Sequence, residues 1–258
     1  MWDTNLPIIP LYRGPKASST SATLLLLVIF ICCVQACGQQ VAAAESASIT
    51  GTVKYTGEVP QLKFVDNGGV RRELLEVDRR SSGLRYAVVY LLGEFPEKGD
   101  SSADASDEEP VLIDQIDETF EPHVIAIRDG RDVRFRNSAG GNHNVRSATL
   151  EERNEFNVTT AAGGEYTHTL HMSRKYSPVR IGCDIHPWMS AWIYVFDHPY
   201  FAVTDELGNF EISGVPPGDY TLIIRQPDAG FSEKRETTVK AGEELNVEIE
   251  FSTDDVRD

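Results

Sequence analysis

Beyond residue 48, apolar and polar positions alternate in short runs broken by Gly, Pro, Asn and Asp. A period of two sends successive side chains to opposite faces, the signature of a strand with one face in a core and one in water. Residues 49–55 and 246–251 alternate in this way, and residues 86–92 read as a further strand. Residues 203–212 read as strand, Gly-containing turn, strand, and 215–222 as a Pro-Pro-Gly turn entering a strand. Residues 70–80 are charged with scattered apolar positions and read as loop or short helix, and residues 148–156 as one short helix. The pattern predicts an all-β fold of two sandwiches. Residues 97–110, rich in Ser, Asp and Glu, lack the apolar content for a core and read as a linker.

A different pattern precedes the strands. Arg13 and Lys16 lead into an apolar run over 22–34, shorter than the roughly 20 residues a membrane span requires. Residues 1–44 therefore read as a secretory signal, which predicts export to the periplasm or cell envelope. Two cleavage points compete. Val34-Gln35-Ala36-Cys37 is similar to a lipoprotein box and would leave Cys37 lipidated and membrane-attached, whereas Ala42-Ala43-Ala44 suits ordinary signal peptidase. Three of the four cysteines, Cys32, Cys33 and Cys37, lie in or beside this segment. The body keeps one thiol, Cys183, with no partner for an intramolecular disulfide.

The chemistry concentrates around that thiol. Cys183-Asp184-Ile185-His186-Pro187-Trp188-Met189 sets a thiolate, an imidazole and a thioether within seven residues, and His143 in Gly141-Asn142-His143-Asn144 offers a second imidazole. Two imidazoles, one thiolate and a weak axial thioether form the ligand set of a mononuclear electron-transfer copper site, intermediate between the preferences of Cu(I) and Cu(II). The expected metal ligands are His143, Cys183, His186 and Met189. A structural zinc site is the other metal reading, but it would leave Met189 without a role.

The order Cys-x-x-His-x-x-Met with an upstream His-Asn resembles the cupredoxin family, over about residues 111–196. The short gap before Met189 and the His-Pro-aromatic-Met run are similar to its amicyanin-like members. Residues 120–130 and 133–137 resemble the strand–turn–strand that precedes the first ligand in plastocyanin-like members. The resemblance implies a blue copper protein. It also implies that Asn144, which follows the first His, ties the two ligand loops together. The chain departs from the amicyanin-like pattern at Ile185, where the family has Pro. Ile185 keeps an N–H that can point at the Cys183 sulfur, which would favour Cu(I), so Ile185→Pro is expected to lower the potential.

The flanks resemble a second family. Thr204-Asp205 through Gly208 and Phe210, with Pro216-Pro217-Gly218 before Tyr220, are similar to the carboxypeptidase regulatory-like, transthyretin-like sandwich, whose opening Gly-x-Val corresponds to Gly51-Thr52-Val53. The expected organisation is a discontinuous sandwich of residues 48–95 and 200–253, an acidic linker at 96–110, and a copper domain at 111–199 inserted between them. Pairing of residues 49–55 with 219–225 is the expected mark of nesting. Sequential domains, with residues 48–95 completing the cupredoxin, are the alternative.

Charge narrows the partners. The chain after residue 44 carries 39 acidic and 22 basic residues, a formal net charge of −17. That excludes a surface built for phosphate contacts, so no nucleic acid is expected. It suits both solubility and steering towards a basic redox partner. No phosphate-binding Gly loop or Ser/His/Asp arrangement stands out, so the chain is expected not to be an enzyme. The expected function is one-electron carriage. A scaffold or copper-storage module contacting carbohydrate or protein through its second sandwich is the alternative. The remaining candidates read as structural: His123, His168 and His171 (three apart, hence on opposite strand faces), His198, and the flanking Trp188 and Trp192. Asn157-Val158-Thr159 is discounted as a glycosylation site, since a lipoprotein-like leader points to a bacterium.

Overall fold

The computed structural model describes residues 45–59, 75–95 and 109–255. The leader readings, including Cys37, and most of the acidic linker lie outside the described residues. Sixteen strands and three short 3-10 turns make up the elements described, with no α-helix among them. The expectation of an all-β fold built from sandwiches is met.

The strands form four sheets. β1 (Ala47–Tyr55) lies between β13 (Asn209–Val215) and β16 (Glu244–Phe251), antiparallel to the first and parallel to the second. The second sheet runs β12 (Phe201–Val203), β2 (Val88–Leu92), β14 (Gly218–Gln226), β15 (Phe231–Val239). The third runs β5 (Val124–Arg128), β11 (Ser190–Phe196), β10 (Val179–Gly182), β7 (His143–Ala148), β8 (Asn157–Thr160). The fourth runs β4 (Thr119–Glu121), β3 (Val111–Ile116), β6 (Arg131–Asn137), β9 (Glu165–Leu170).

Burial orders these sheets as layers. Ile49, Val53 and Ile249 of the first sheet share a core with Val89, Leu91, Leu222 and Ile224 of the second. Phe135 and Val133 of the fourth sheet share another with Ile181, Ile193 and Val195 of the third. Between the two sandwiches, Val88, Tyr90 and Ile223 pack on Val124, Tyr194 and Phe196. β2 and β11 are thus covered on both faces, which explains their unbroken apolar runs. Phe95 and His198 meet with ring centroids 4.7 Å apart, where the chain leaves the first sandwich and where it returns.

Two local expectations need correction. Residues 49–55 do not pair with 219–225. β1 pairs with β13 and β16, and β2 is the strand that pairs with β14. Residues 203–212 form the expected strand, Gly-containing turn and strand, with β12 paired to β2 and β13 to β1 in the facing sheet. Gly208 makes this corner at φ +80°, and a Cβ there would lie 2.2 Å from the Val53 carbonyl oxygen, so only glycine fits without displacing backbone. The helix expected over 148–156 shrinks to a 3-10 turn at Glu152–Asn154. Buried Asn154 explains this, because its side chain donates to the His171 carbonyl at 2.7 Å and accepts from the His171 amide at 2.8 Å. Of residues 70–80, those described carry no helix; Val77 forms a bridge to Leu84.

Candidate metal centre

Two adjacent strands bring the donors to one end of the sandwich. β7 and β10 pair antiparallel, so the start of β7, at His143, lies at the same end as the last residue of β10, Gly182. The segment from Cys183 to Met189 fills the gap before β11. It closes on itself: the Cys183 amide donates to the Met189 carbonyl at 3.3 Å, and the Met189 amide donates to the His186 carbonyl at 2.9 Å. The loop preceding His143 is held by buried Asn137, a residue that sequence reasoning missed. Its Nδ2 donates to the Gly141 and Thr160 carbonyls at 2.9 and 2.8 Å, and its Oδ1 accepts from the Ala139 amide at 3.0 Å.

His143, Cys183 and His186 converge. The two Nδ1 atoms lie 2.9 Å apart, and the Cys183 Sγ lies 3.9 Å from His143 Nδ1 and 3.8 Å from His186 Nδ1. A point equidistant from all three corners lies about 2.1 Å from each, within the range of about 2.0–2.3 Å for nitrogen and sulfur bonds to a first-row metal ion. The donor set therefore fits a single ion in trigonal coordination. Met189, at the end of the same loop, is buried in one apolar cluster with Cys183.

Asn144 joins the two ligand-bearing segments. Its Oδ1 accepts from the Asp184 amide at 2.7 Å and from the Cys183 thiol at 3.3 Å. Its Nδ2 donates to Asn157 Oδ1 at 2.8 Å and to Asp184 Oδ2 at 3.0 Å. Arg146 and Asn157 complete the network by donating to the Asp184 carboxylate at 2.6 and 3.0 Å. Hydrogen bonds from Arg146, Asn157 and Asn144 hold the Asp184 carboxyl below its ordinary range, so it remains an acceptor in mild acid. The Cys183 sulfur meets Asn144 Oδ1 and the two imidazoles, and Ile185 is 53% exposed.

Burial and charge set the ring chemistry. His143 is almost wholly buried, and its pKa is lowered by desolvation and by the neighbouring His186, with Glu118 opposing. A neutral imidazole, the metal-binding form, is thereby favoured. His186 is only partly covered. It borders a depression of about 490 Å³ shared with Ile116, Glu118 and Ala139, and Trp188 packs beside it with ring centroids 5.2 Å apart.

The other histidines lie elsewhere. His168 meets Tyr166 Oη and the Arg153 carbonyl, both at 2.9 Å, while His171 lies 3.5 Å from Asp129. His198 is buried between aromatic rings at the inter-sandwich contact. His123 is buried, and both of its ring nitrogens are hydrogen-bonded. The sequon residue Asn157 belongs to the Asp184 network.

No protein-family model matches this chain, and no curated relative does. Several solved structures resemble part of it. The copper-containing nitrite reductase of Thermus scotoductus SA-01 is 22% identical with a TM-score of 0.32, over 41% of this chain and 27% of that one. A Cu(I) form of an amicyanin mutant is 16% identical with a TM-score of 0.30, over 42% and 98%. A purple cupredoxin from Nitrosopumilus maritimus is 18% identical with a TM-score of 0.29, over 33% and 99%. The match thus spans about a quarter of the nitrite reductase.

Proposed function

We propose that this chain is an exported type 1 copper protein that carries single electrons in the cell envelope and is not itself an enzyme. The observation that carries this reading is the triangle of His143 Nδ1, Cys183 Sγ and His186 Nδ1, sized for one ion, with Met189 buried beside it. Copper would supply the one-electron couple. The chain supplies the rest. His143, Cys183 and His186 would hold the ion, and Met189 would supply a fourth, sulfur donor. Asn144 and Asp184 lock the two loops so that little moves between oxidation states. The partly exposed edge of His186, next to exposed Ile116 and Ile185, serves as the contact point for an unidentified redox partner.

Within the same proposal, residues 48–95 and 200–253 form a carboxypeptidase regulatory-like sandwich interrupted by the copper domain, and the leader directs export, with or without a lipid on Cys37. The pairing of β2 with both β12 and β14 supports the discontinuous sandwich. The function is tested by adding Cu(II) to the apo protein. An intense blue absorption, bleached by reductant and restored by oxidant, is expected. A colourless protein, or one that takes only Cu(I), would favour storage and overturn electron carriage.

A further inference from the structure

We propose that Asp228, on the turn between β14 and β15, is a positioning residue for the metal centre, acting through His123 on the strand that follows Met189. The inference rests on the copper reading above, but it concerns residues that touch none of the four expected ligands.

His123 stands between the two sandwiches. Its Nδ1 meets the Ser190 carbonyl at 2.8 Å, and its Nε2 meets both carboxylate oxygens of Asp228 at 2.8 and 2.9 Å. Both ring nitrogens are therefore held, one by a backbone carbonyl and the other by a side-chain carboxyl group. The pair is well buried, with 3% of the His123 side chain and 14% of the Asp228 side chain exposed. The Asp228 carboxylate also accepts from the Trp192 indole at 3.0 Å and from Gln226 Nε2 at 3.1 Å. Gln226 is itself buried, and its Oε1 accepts from the Ala229 amide at 2.8 Å, which shapes the turn that presents Asp228.

These bonds converge on the start of β11. Ser190 adjoins Met189 and pairs with Gly182, the residue before Cys183. The His123 ring holds the Ser190 carbonyl, the His123 carbonyl accepts from the Trp192 amide at 2.8 Å, and Asp228 holds the Trp192 indole. Three bonds thus hold Ser190 and Trp192 at the start of β11, and Asp228, from the other sandwich, makes one of them directly and supports a second through the His123 ring. Burying two ionisable side chains costs desolvation, which makes the pair a poor choice for cohesion alone. Its value here is directional, as an anchor for the strand that sets where the ligand loop ends. Partners at this remove from a metal tune affinity and geometry by orienting the ligands.

The test uses the full chain loaded with Co(II), whose ligand-field and thiolate charge-transfer bands report the donor geometry. Asp228→Asn and His123→Gln are compared with Tyr176→Phe, which removes a 2.8 Å bond to Asp197 in the same inter-sandwich cluster, at the end of β11 away from Met189. The first two variants are expected to shift the Co(II) bands and weaken Co(II) binding by about 10–100-fold, and Tyr176→Phe to do neither. Wild-type bands and affinity in Asp228→Asn and His123→Gln would overturn the proposal, as would an equal effect of Tyr176→Phe. Should the first two variants fail to fold, the wild type decides: the 15N-labelled indole signal of Trp192 is expected to shift on Zn(II) loading, and an unmoved signal overturns the proposal. The blue Cu(II) band of the wild type is scored separately. Its absence alongside Co(II) bands that respond to Asp228 would defeat electron carriage and uphold the positioning role.

Discussion

Asn144 is the most economical place to perturb the site without removing a ligand. Truncation by Asn144→Ala deletes the acceptor of the Asp184 amide at 2.7 Å and of the thiol at 3.3 Å, together with two donated bonds to Asn157 and Asp184. Stranding a part-buried donor costs about 1–3 kcal/mol, and each ordinary hydrogen bond lost adds about 0.5–1.5 kcal/mol where water cannot replace it. Asn157 and Asp184 are exposed and recover much of their share from solvent, which leaves a net loss of about 2–3 kcal/mol. For a body of this size, that lowers Tm by about 5–10 °C. Metal affinity is expected to fall about 10–100-fold, since the loops lose the tie that holds Cys183 against His143. Calorimetry of the apo protein and competitive Cu(I) titration measure the two effects. Asn144→Asp separates them: it keeps the acceptor for the Asp184 amide but sets a second carboxylate against the one on Asp184. A Tm within about 2 °C of wild type together with unchanged affinity in Asn144→Ala would refute the clamp, since even one stranded donor predicts more.

Other perturbations follow from the same geometry. Cys183→Ser should abolish the blue absorption of the Cu(II) protein, because the band originates in thiolate-to-copper charge transfer. Met189→Gln should retain copper and lower the reduction potential, read by voltammetry, because a harder axial ligand favours Cu(II). Phe196→Ala should cost about 3–5 kcal/mol in urea unfolding, since the ring is fully buried, stacks on Phe201 at 4.7 Å and packs at a tilt against Tyr90 at 4.9 Å. His143 predicts acid sensitivity of the apo protein: its folded pKa lies below the ordinary value of about 6.5, so the unfolded chain binds more protons between the two values. Stability then falls as pH drops through that window, and the dependence should flatten in His143→Asn when urea midpoints are compared.

The centre was legible because its chemistry is local. Three of the four expected donors fall within seven residues, and the fourth starts a strand whose neighbour ends at the loop. Strands were legible from alternation, but alternation gives faces and not neighbours. It could not show that β1 would run parallel to β16, nor that Gly208 would carry the chain across to the facing sheet instead of closing a hairpin. The short helix over 148–156 failed because one buried amide, Asn154, bonds the chain at His171 in place of continuing a helical ladder. His123 read as an ordinary structural histidine because its partner, Asp228, lies 105 residues away.

Residues 192–196, Trp-Ile-Tyr-Val-Phe, held a signal of a different kind. An uninterrupted apolar run cannot come from a strand with one wet face. In β11, Ile193 and Val195 face the core shared with the fourth sheet, while Tyr194 and Phe196 face the second sheet of the other sandwich. β2 repeats this, with Val89 and Leu91 turned one way and Val88 and Tyr90 the other. The strand that issues from the ligand loop is therefore braced on both sides. Displacing the end of that loop requires repacking two apolar layers, and packed interiors resist such shifts. A copper site of the kind proposed, whose donors would hold nearly one arrangement for two oxidation states, would gain directly from that resistance. The second sandwich would then contribute to the proposed metal centre as the wall against which β11 is fixed, even though it supplies none of the four expected donors.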